Sequence, residues 1–170
     1  MSSHIKGSVP HRPGPRVPVV RVTSTEKQRF TILSAAVFGQ RIHWHSNRSH
    51  ECTQDWKKSC VGCDRGWAQK WKGYLDCILW HVTTGERCFL EITPRAFELI
   101  VSLAEKEKSL RGLVITVAKT KGGAKGRYLI EVLQRRIDEK DLPQEADPLP
   151  ILRKLWLSKD QYVTDEQNAV

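Results

Sequence analysis

HWHSNRSHECTQDWKKSCVGCDRGWAQKWKGY, residues 43 to 74, sets the terms for the whole chain. Three of the five cysteines and four of the six tryptophans fall inside it, yet it contains no apolar run. Burial alone cannot offset the ordering entropy of such a segment, so something else must hold it. The order His43, Cys52, Cys60, Cys63 supplies one imidazole, one lone thiol and a C-x2-C pair. Four ligands of these types close a tetrahedral Zn2+ site of the structural kind, with no position left for water. His45 and His50 compete for the imidazole role. His43 is favoured because it ends a strand that can hold it stiffly, whereas His50 lies too close to Cys52 for an unstrained chelate.

Cations and aromatics alternate around these ligands. Arg41, Arg48, Lys57, Lys58, Lys70 and Lys72 interleave with Trp44, Trp56, Trp67, Trp71 and Tyr74. Bases stack on aromatic rings with little regard to sequence, at about 1–3 kcal/mol per base. Duplex bases are already stacked on one another, so the pattern suits an unpaired strand. Part of the tryptophan set is expected to cover the metal instead.

Composition points the same way. The 170 residues suit one domain with tails, and 39% apolar content can build a core. A net charge of +9 favours a polyanionic partner, although solvated charge that keeps a small protein soluble accounts for part of it. Positive charge gathers in residues 1–30, 41–72 and 105–136, while 73–104 and 137–170 are net acidic. The opening MSSHIKGSVPHRPGPRVPVV lacks the apolar centre of a signal peptide, and no run reaches membrane-span length. The expectation is a cytoplasmic protein without a membrane partner. There thiols stay reduced, and five cysteines fit a metal site better than a disulfide framework.

Residues 1–25, with prolines at 10, 13, 15 and 18, read as a flexible basic arm. A first strand is expected over 27–39, with a second extended piece at 41–44. Residues 74–82 and 86–93 flank Thr83-Thr84-Gly85 and read as a hairpin in which Cys77 and Cys88 are small core residues. In its second strand Cys88, Leu90 and Ile92 share one face, and Arg87, Phe89 and Glu91 the other. An exposed Phe89 beside Arg87 would make a base-stacking platform; otherwise Phe89 lies beneath a loop. Thr93-Pro94 is a helix start, followed by Ala96, Phe97, Ile100, Val101, Leu103 and Ala104 at helical spacing. Strands over 110–119 and 127–133 then enclose a glycine-rich turn carrying Lys119, Lys121, Lys125 and Arg127. Beyond 137 an acidic linker, a short amphipathic helix over 150–158 that docks through Ile151, Leu152, Leu155 and Trp156, and a disordered tail are expected. The boundaries are thus an arm at 1–25, a domain at 26–136 with a knuckle inserted at 43–73, and an acidic end at 137–170.

Strand, knuckle, hairpin, helix, hairpin is the succession of a five-stranded OB-fold barrel, mainly β with one helix between strands 3 and 4. The zinc segment falls between strands 1 and 2. In such barrels oligonucleotides cross the strand 2–3 face, between the loops joining strands 1–2 and 4–5. With this ligand order, the interrupted barrel, the basic arm and the acidic end, residues 27–134 resemble the zinc-containing OB-fold single-stranded DNA-binding proteins of the T4-type phage helix-destabilising group. The resemblance implies Zn2+ on His43, Cys52, Cys60 and Cys63. It also implies an arm that supports cooperative binding, and an acidic end that recruits replication and recombination proteins. The spacers are tighter here and the acidic end more weakly charged.

Enzymatic readings find little in the chain. Zinc deaminases pair H-x-E with P-C-x-x-C, whereas Ser59 precedes Cys60 here. The Lys121–Lys125 turn lacks the G-x4-G-K-[ST] frame of a phosphate-binding loop. A non-enzymatic binder of single-stranded DNA is therefore expected. The alternatives are an RNA-binding OB module and a zinc-knuckle adaptor that grips protein.

Overall fold

The longest strand, β5 (Ala68–His81), decides what lies on each side of the sheet. Side chains alternate along it, so Leu75, Cys77 and Leu79 join one apolar cluster while Tyr74 joins another on the opposite face. In this computed structural model the described residues are 17–122 and 127–154. Lys125, most of the expected arm and the end of the chain beyond 154 lie outside them.

The other strands are β1 (Val19–Val20), β2 (Gln28–Ile32), β3 (Phe38–His45), β4 (Arg48–Glu51), β6 (Thr84–Ile92), β7 (Leu113–Lys119) and β8 (Tyr128–Arg136). One sheet runs in the order β1-β6-β5-β2-β7-β8, with β3 on β5 and β4 on β3. Every pairing is antiparallel except that of β1 with β6. The architecture is mainly β, as expected, and among the described residues no strand pairing joins β8 back to β6. Among its helical elements are a single turn α1 (Val61–Asp64) and α2 (Pro94–Glu107).

The expected first strand is two strands on one partner. β2 pairs with β5 at 77–80 and β3 pairs with it at 68–74, so the chain bends over residues 33–37. Leu33 and Ser34 both donate their N–H groups to the Asp76 carbonyl, at 2.8 and 3.4 Å, which anchors the bend. The bend lets β5 belong to the apolar core at one end and to the metal-ligand region at the other.

Phe30, Ile32, Leu75, Cys77, Leu90, Ile92 and Ile115 pack together with essentially no exposure, closed by Ala96 and Ile100 of α2. Thr93 caps that helix, its Oγ1 accepting from the Ala96 N–H at 3.2 Å, with Pro94 at the first helical position. Burial pushes the Cys88 thiol up to about 12. Cys77 and Cys88 face each other across β5 and β6 as neutral core residues.

The opposite face is covered by residues 17–19 and 146–152. Leu152 is fully buried against Ile42, Tyr74 and Phe89, with Val17, Val19, Ala146, Leu149 and Ile151 around them. Residues 148–154 are helical up to the limit of description. Two clasps hold this segment. Asp76 accepts Arg87 Nε at 3.0 Å and the Ala146 N–H at 2.8 Å, and Arg87 also donates to the Gln144 carbonyl at 2.6 Å. Farther along, Arg153 forks onto Glu51 at 3.1–3.2 Å. Residues 138–154 are therefore a strap across the sheet rather than a free linker. The expectation of a free arm is corrected for 17–22 as well, where Phe89 N–H donates to the Pro18 carbonyl and Val22 is buried. Among the described residues no helix is long and apolar enough to cross a membrane.

Candidate metal centre and adjoining groove

β3 and β4 form a tight hairpin whose turn residues, Ser46 and Asn47, take positive φ of 48° and 58°. That is the geometry of a two-residue turn matched to strand twist. The hairpin returns the chain so that the Cys52 N–H donates to the Arg41 carbonyl at 3.0 Å, which places Cys52 near His43. A short 3-10 turn, Thr53–Trp56, then leads to α1. There the C-x2-C pair is wound into one helical turn by Asp64 N–H to Cys60 carbonyl, at 3.0 Å, and Arg65 N–H to Val61 carbonyl, at 2.9 Å.

These turns bring His43, Cys52, Cys60 and Cys63 together, with their ligand atoms all within 4.8 Å of one another. His43 Nε2 lies 3.3 Å from Cys60 Sγ and 3.4 Å from Cys63 Sγ, and Cys52 Sγ lies 3.7 Å from Cys63 Sγ. A tetrahedral ion with metal–sulfur bonds of about 2.3 Å and metal–nitrogen bonds of about 2.0 Å spaces its ligands about 3.8 Å (S···S) and about 3.5 Å (N···S) apart. The spacing is far from the 2.05 Å of a disulfide, and all three cysteines are free thiols. The residues fit a metal ion of zinc's size.

The surrounding groups fit it as well. His43 Nδ1 lies 3.2 Å from the Trp67 carbonyl, which accepts its proton and leaves the Nε2 lone pair facing the sulfurs. Gln69 donates its side-chain N–H to Cys52 Sγ at 3.5 Å. A Cβ on Gly62 would stand 2.5 Å from Cγ of His43, so only glycine fits beneath the ring. His43, Cys52 and Cys60 are almost fully buried. Burial works against a thiolate at Cys60, but backbone N–H groups of Cys63 and Thr53 outweigh it and bring the thiol down to about 6. Cys63 moves the other way, up to about 12, through burial and the adjacent Cys52 and Cys60 sulfurs. Three thiolates crowd one another there unless a cation lies between them.

His45 and His50 have a different job from the one considered for them. His45 stacks on Trp67, centroids 4.3 Å apart and planes 2° from parallel, and His50 meets the same indole at 5.0 Å. They wall the centre rather than ligate it.

Along the same strands lies a groove of about 630 Å3, lined by Trp44, Trp71, Lys70, Lys72, Arg21 and Arg95 among others. His43 sits opposite Gln69; Trp44, Lys70 and Lys72 point the other way, while Trp71, opposite Arg41, shares the His43 face, so the groove draws side chains from both faces where β5 pairs only with β3. Lys70 Nζ stands 5.7 Å from the Trp44 ring centroid, within cation–π range. Trp71 lies over Gly39 and Gly73, which face each other across β3 and β5; a Cβ on either would come within 2.8 Å of the indole. Phe97 of α2 meets Trp71 at 5.0 Å. Glu91, also in the groove, accepts Arg21 Nε at 2.9 Å and Lys72 Nζ at 3.1 Å, and its carboxylate raises the Arg21 pKa.

Of the other expected contact residues, Trp56, Lys57 and Lys58 are exposed on the knuckle, Trp67 and Arg48 partly so, and Arg41 pairs with Asp55. Trp56 donates Nε1–H to Glu51 at 2.7 Å and carries the Arg153 guanidinium over its ring. Lys119, Lys121 and Arg127 are exposed at the β7–β8 tip and do not line the groove. Three expectations on the strand 2–3 face are corrected. Phe89 and Tyr74 are buried beneath the strap, and Arg87 is bound to Asp76 and Gln144, so none offers a free platform. Arg21, Arg95, Gln69 and Gly62 were not singled out from the sequence. Arg21 lay in a presumed arm and Arg95 behind a helix cap, with no local pattern to mark them.

Compared with family models, curated proteins and solved structures, the chain matches none of them.

Proposed function

We propose that the protein binds single-stranded nucleic acid, DNA in the first instance, through the groove between Trp44, Trp71 and α2, and that Zn2+ on His43, Cys52, Cys60 and Cys63 holds the groove in shape. The observation that carries this reading is the pairing of two indoles with Arg21, Lys70, Lys72 and Arg95 in one concave surface. Aromatic faces supply sequence-tolerant stacking and the cations meet phosphates. A structural zinc supplies rigidity to a segment that has no apolar core of its own.

The fold supports the same reading. Counting the bent β2–β3 as strand 1, then β5, β6, β7 and β8, strand 1 lies between strands 2 and 4, with α2 between strands 3 and 4. This order is compatible with an OB barrel whose strand 1–2 connection holds the knuckle, and it supports the reading to that extent. The strap covers the middle of the usual strand 2–3 face, so the bound strand is placed at the knuckle end, where Trp44 and Trp71 stay accessible. The role is a non-enzymatic one in replication, recombination or movement of DNA, in the cytoplasm, with protein partners taken up by the acidic end.

Fluorescence titration with oligo-dT, oligo-U and a matched duplex at two salt concentrations tests it. Oligo-dT is expected to quench tryptophan strongly and the duplex weakly. Four groove cations against one carboxylate predict a log–log salt slope of about −2. Equal binding of oligo-U reassigns the ligand to RNA as well. No quenching by any of the three removes the nucleic-acid reading in favour of a protein adaptor.

A further inference from the structure

His43, one of the four ligands, and Gln69, which holds a second, sit on the same two strands as Trp44, Lys70, Trp71 and Lys72, and we infer from this that metal occupancy and nucleic-acid affinity are coupled through the first five residues of β5. The inference rests on the single-strand reading above and adds regulation to that site.

The start of β5 is tied to the ligand set at three points. Trp67 N–H donates to the Gly62 carbonyl at 2.8 Å, the Trp67 carbonyl accepts from His43 Nδ1 at 3.2 Å, and Gln69 donates to Cys52 Sγ at 3.5 Å. Residues 68–72 have few other supports. They pair only with β3, because β6 ends at Ile92, opposite Gly73. Ala68, Gln69 and Lys70 are exposed, and none of residues 68–72 belongs to the buried core. Yet this short piece carries Lys70, Trp71 and Lys72, and its partner strand carries Trp44 next to His43. Without an ion the four ligands have no common partner, and residues 67–69 keep only their pairing with β3 and the stacking of Trp67 on His45 and His50. The groove then forms only in part of the population, and observed affinity falls by that fraction. Linkage makes the effect reciprocal: a bound strand that orders Trp44 and Lys70 must tighten the hold on the ion by the same factor.

The test uses the full chain, Zn2+ and oligo-dT. Affinity for oligo-dT is measured on zinc-loaded and chelator-stripped protein, with circular dichroism to follow the β core. Zinc affinity is measured by chelator competition with and without saturating oligo-dT. The expected result is about tenfold weaker oligo-dT binding after stripping and a matching gain in zinc affinity when oligo-dT is present. Gln69→Ala keeps all four ligands but cuts one of the three ties, so its mutual gain should fall several-fold with the core intact. Equal oligo-dT affinity before and after stripping, with no oligo-dependent change in zinc affinity, overturns the coupling and leaves the binding function standing. Failure of zinc-loaded protein to bind oligo-dT overturns that function instead. If stripping unfolds the whole chain, the zinc competition and Gln69→Ala still decide, since an undiminished gain in that variant rules out the route through β5.

Discussion

The two ends of β5 are held by different physics. Residues 75–79 are fixed by burial: Leu75 and Cys77 have no exposure and sit among Phe30, Ile32, Leu90 and Ile115. Residues 67–70, where that strand begins, are tied instead to two of the four ligands, by the Gln69 hydrogen bond to the Cys52 sulfur and the His43 proton on the Trp67 carbonyl. Apolar packing is non-directional and spread over many contacts, so it tolerates small errors and fails only cooperatively. A four-ligand site concentrates its stabilisation in one point and fails when any ligand goes. A strand anchored both ways can keep its core end while its binding end is adjusted.

Loss of a ligand should break this contrast most sharply. Cys60→Ser is expected to abolish stoichiometric zinc binding, a contribution of roughly 10–16 kcal/mol in small finger peptides. Metal analysis and tryptophan fluorescence should report the knuckle's collapse while circular dichroism keeps the β signal and its cooperative melting. A single transition shared by knuckle and core in both proteins would mean that the two ends are one unit.

Phe30→Ala attacks the other end. The ring is fully buried, so the deletion should cost about 3–5 kcal/mol in denaturant unfolding. At denaturant concentrations below the transition the variant should still hold one zinc per chain. Loss of zinc before unfolding would show that the core, not the ligand turns, shapes the centre.

The same contrast governs what could be read from the chain beforehand. The ligand set was legible because it is local: a C-x2-C pair, a lone cysteine and nearby histidines lie within 21 residues, 43–63. The choice of His43 over His45 and His50 followed from strand placement, and the register, with His45 on Trp67, gives the reason. Hairpin β5–β6, the Thr93 cap and the β7–β8 pair were legible for the same reason. Phe89, Tyr74 and Arg87 were not. Their shared face was correctly read from alternation, but what covers it comes from residues 146–152, far along the chain. The spacing of Ile151 and Leu152 marks a docking helix, but nothing local marks the face on which it lands. The bend at 33–37 was hidden likewise, since its cause is the Asp76 carbonyl on another strand.

Asp76 offers a test of that long-range cover. Its carboxylate is buried and accepts from both Arg87 and Ala146. Asp76→Asn should lower stability by about 2 kcal/mol, toward the low end for a charged hydrogen bond, because Arg87 keeps a third of its side chain in water. The distinguishing readout is limited proteolysis: residues 138–154 should be cut sooner, with zinc content unchanged. Equal protection in both proteins would mean that Leu152 alone holds the strap.

The gentlest probe bears on the ligand end without touching a ligand. Gly62 and Gly66 flank the second half of the C-x2-C turn, and each can be given a methyl group. At Gly66, φ is +66° and nothing lies within 4 Å, so alanine costs only backbone strain of about 1 kcal/mol. At Gly62 the new methyl meets the His43 ring from below, 3.0 Å from Nε2 itself. That ring has little freedom to retreat, because its Nδ1 is bound to the Trp67 carbonyl. Either the imidazole tilts away from the tetrahedron or α1 lifts and takes Cys63 with it. Changes of this kind around a ligand weaken metal binding by about tenfold at the low end. Chelator competition should therefore rank wild type with Gly66→Ala and well above Gly62→Ala, while all three share the unfolding midpoint set by the Phe30 core. If Gly62→Ala holds zinc as tightly as Gly66→Ala, the imidazole of His43 is not fixed where the knuckle's turns place it, and the ligand end of β5 is as forgiving as the core.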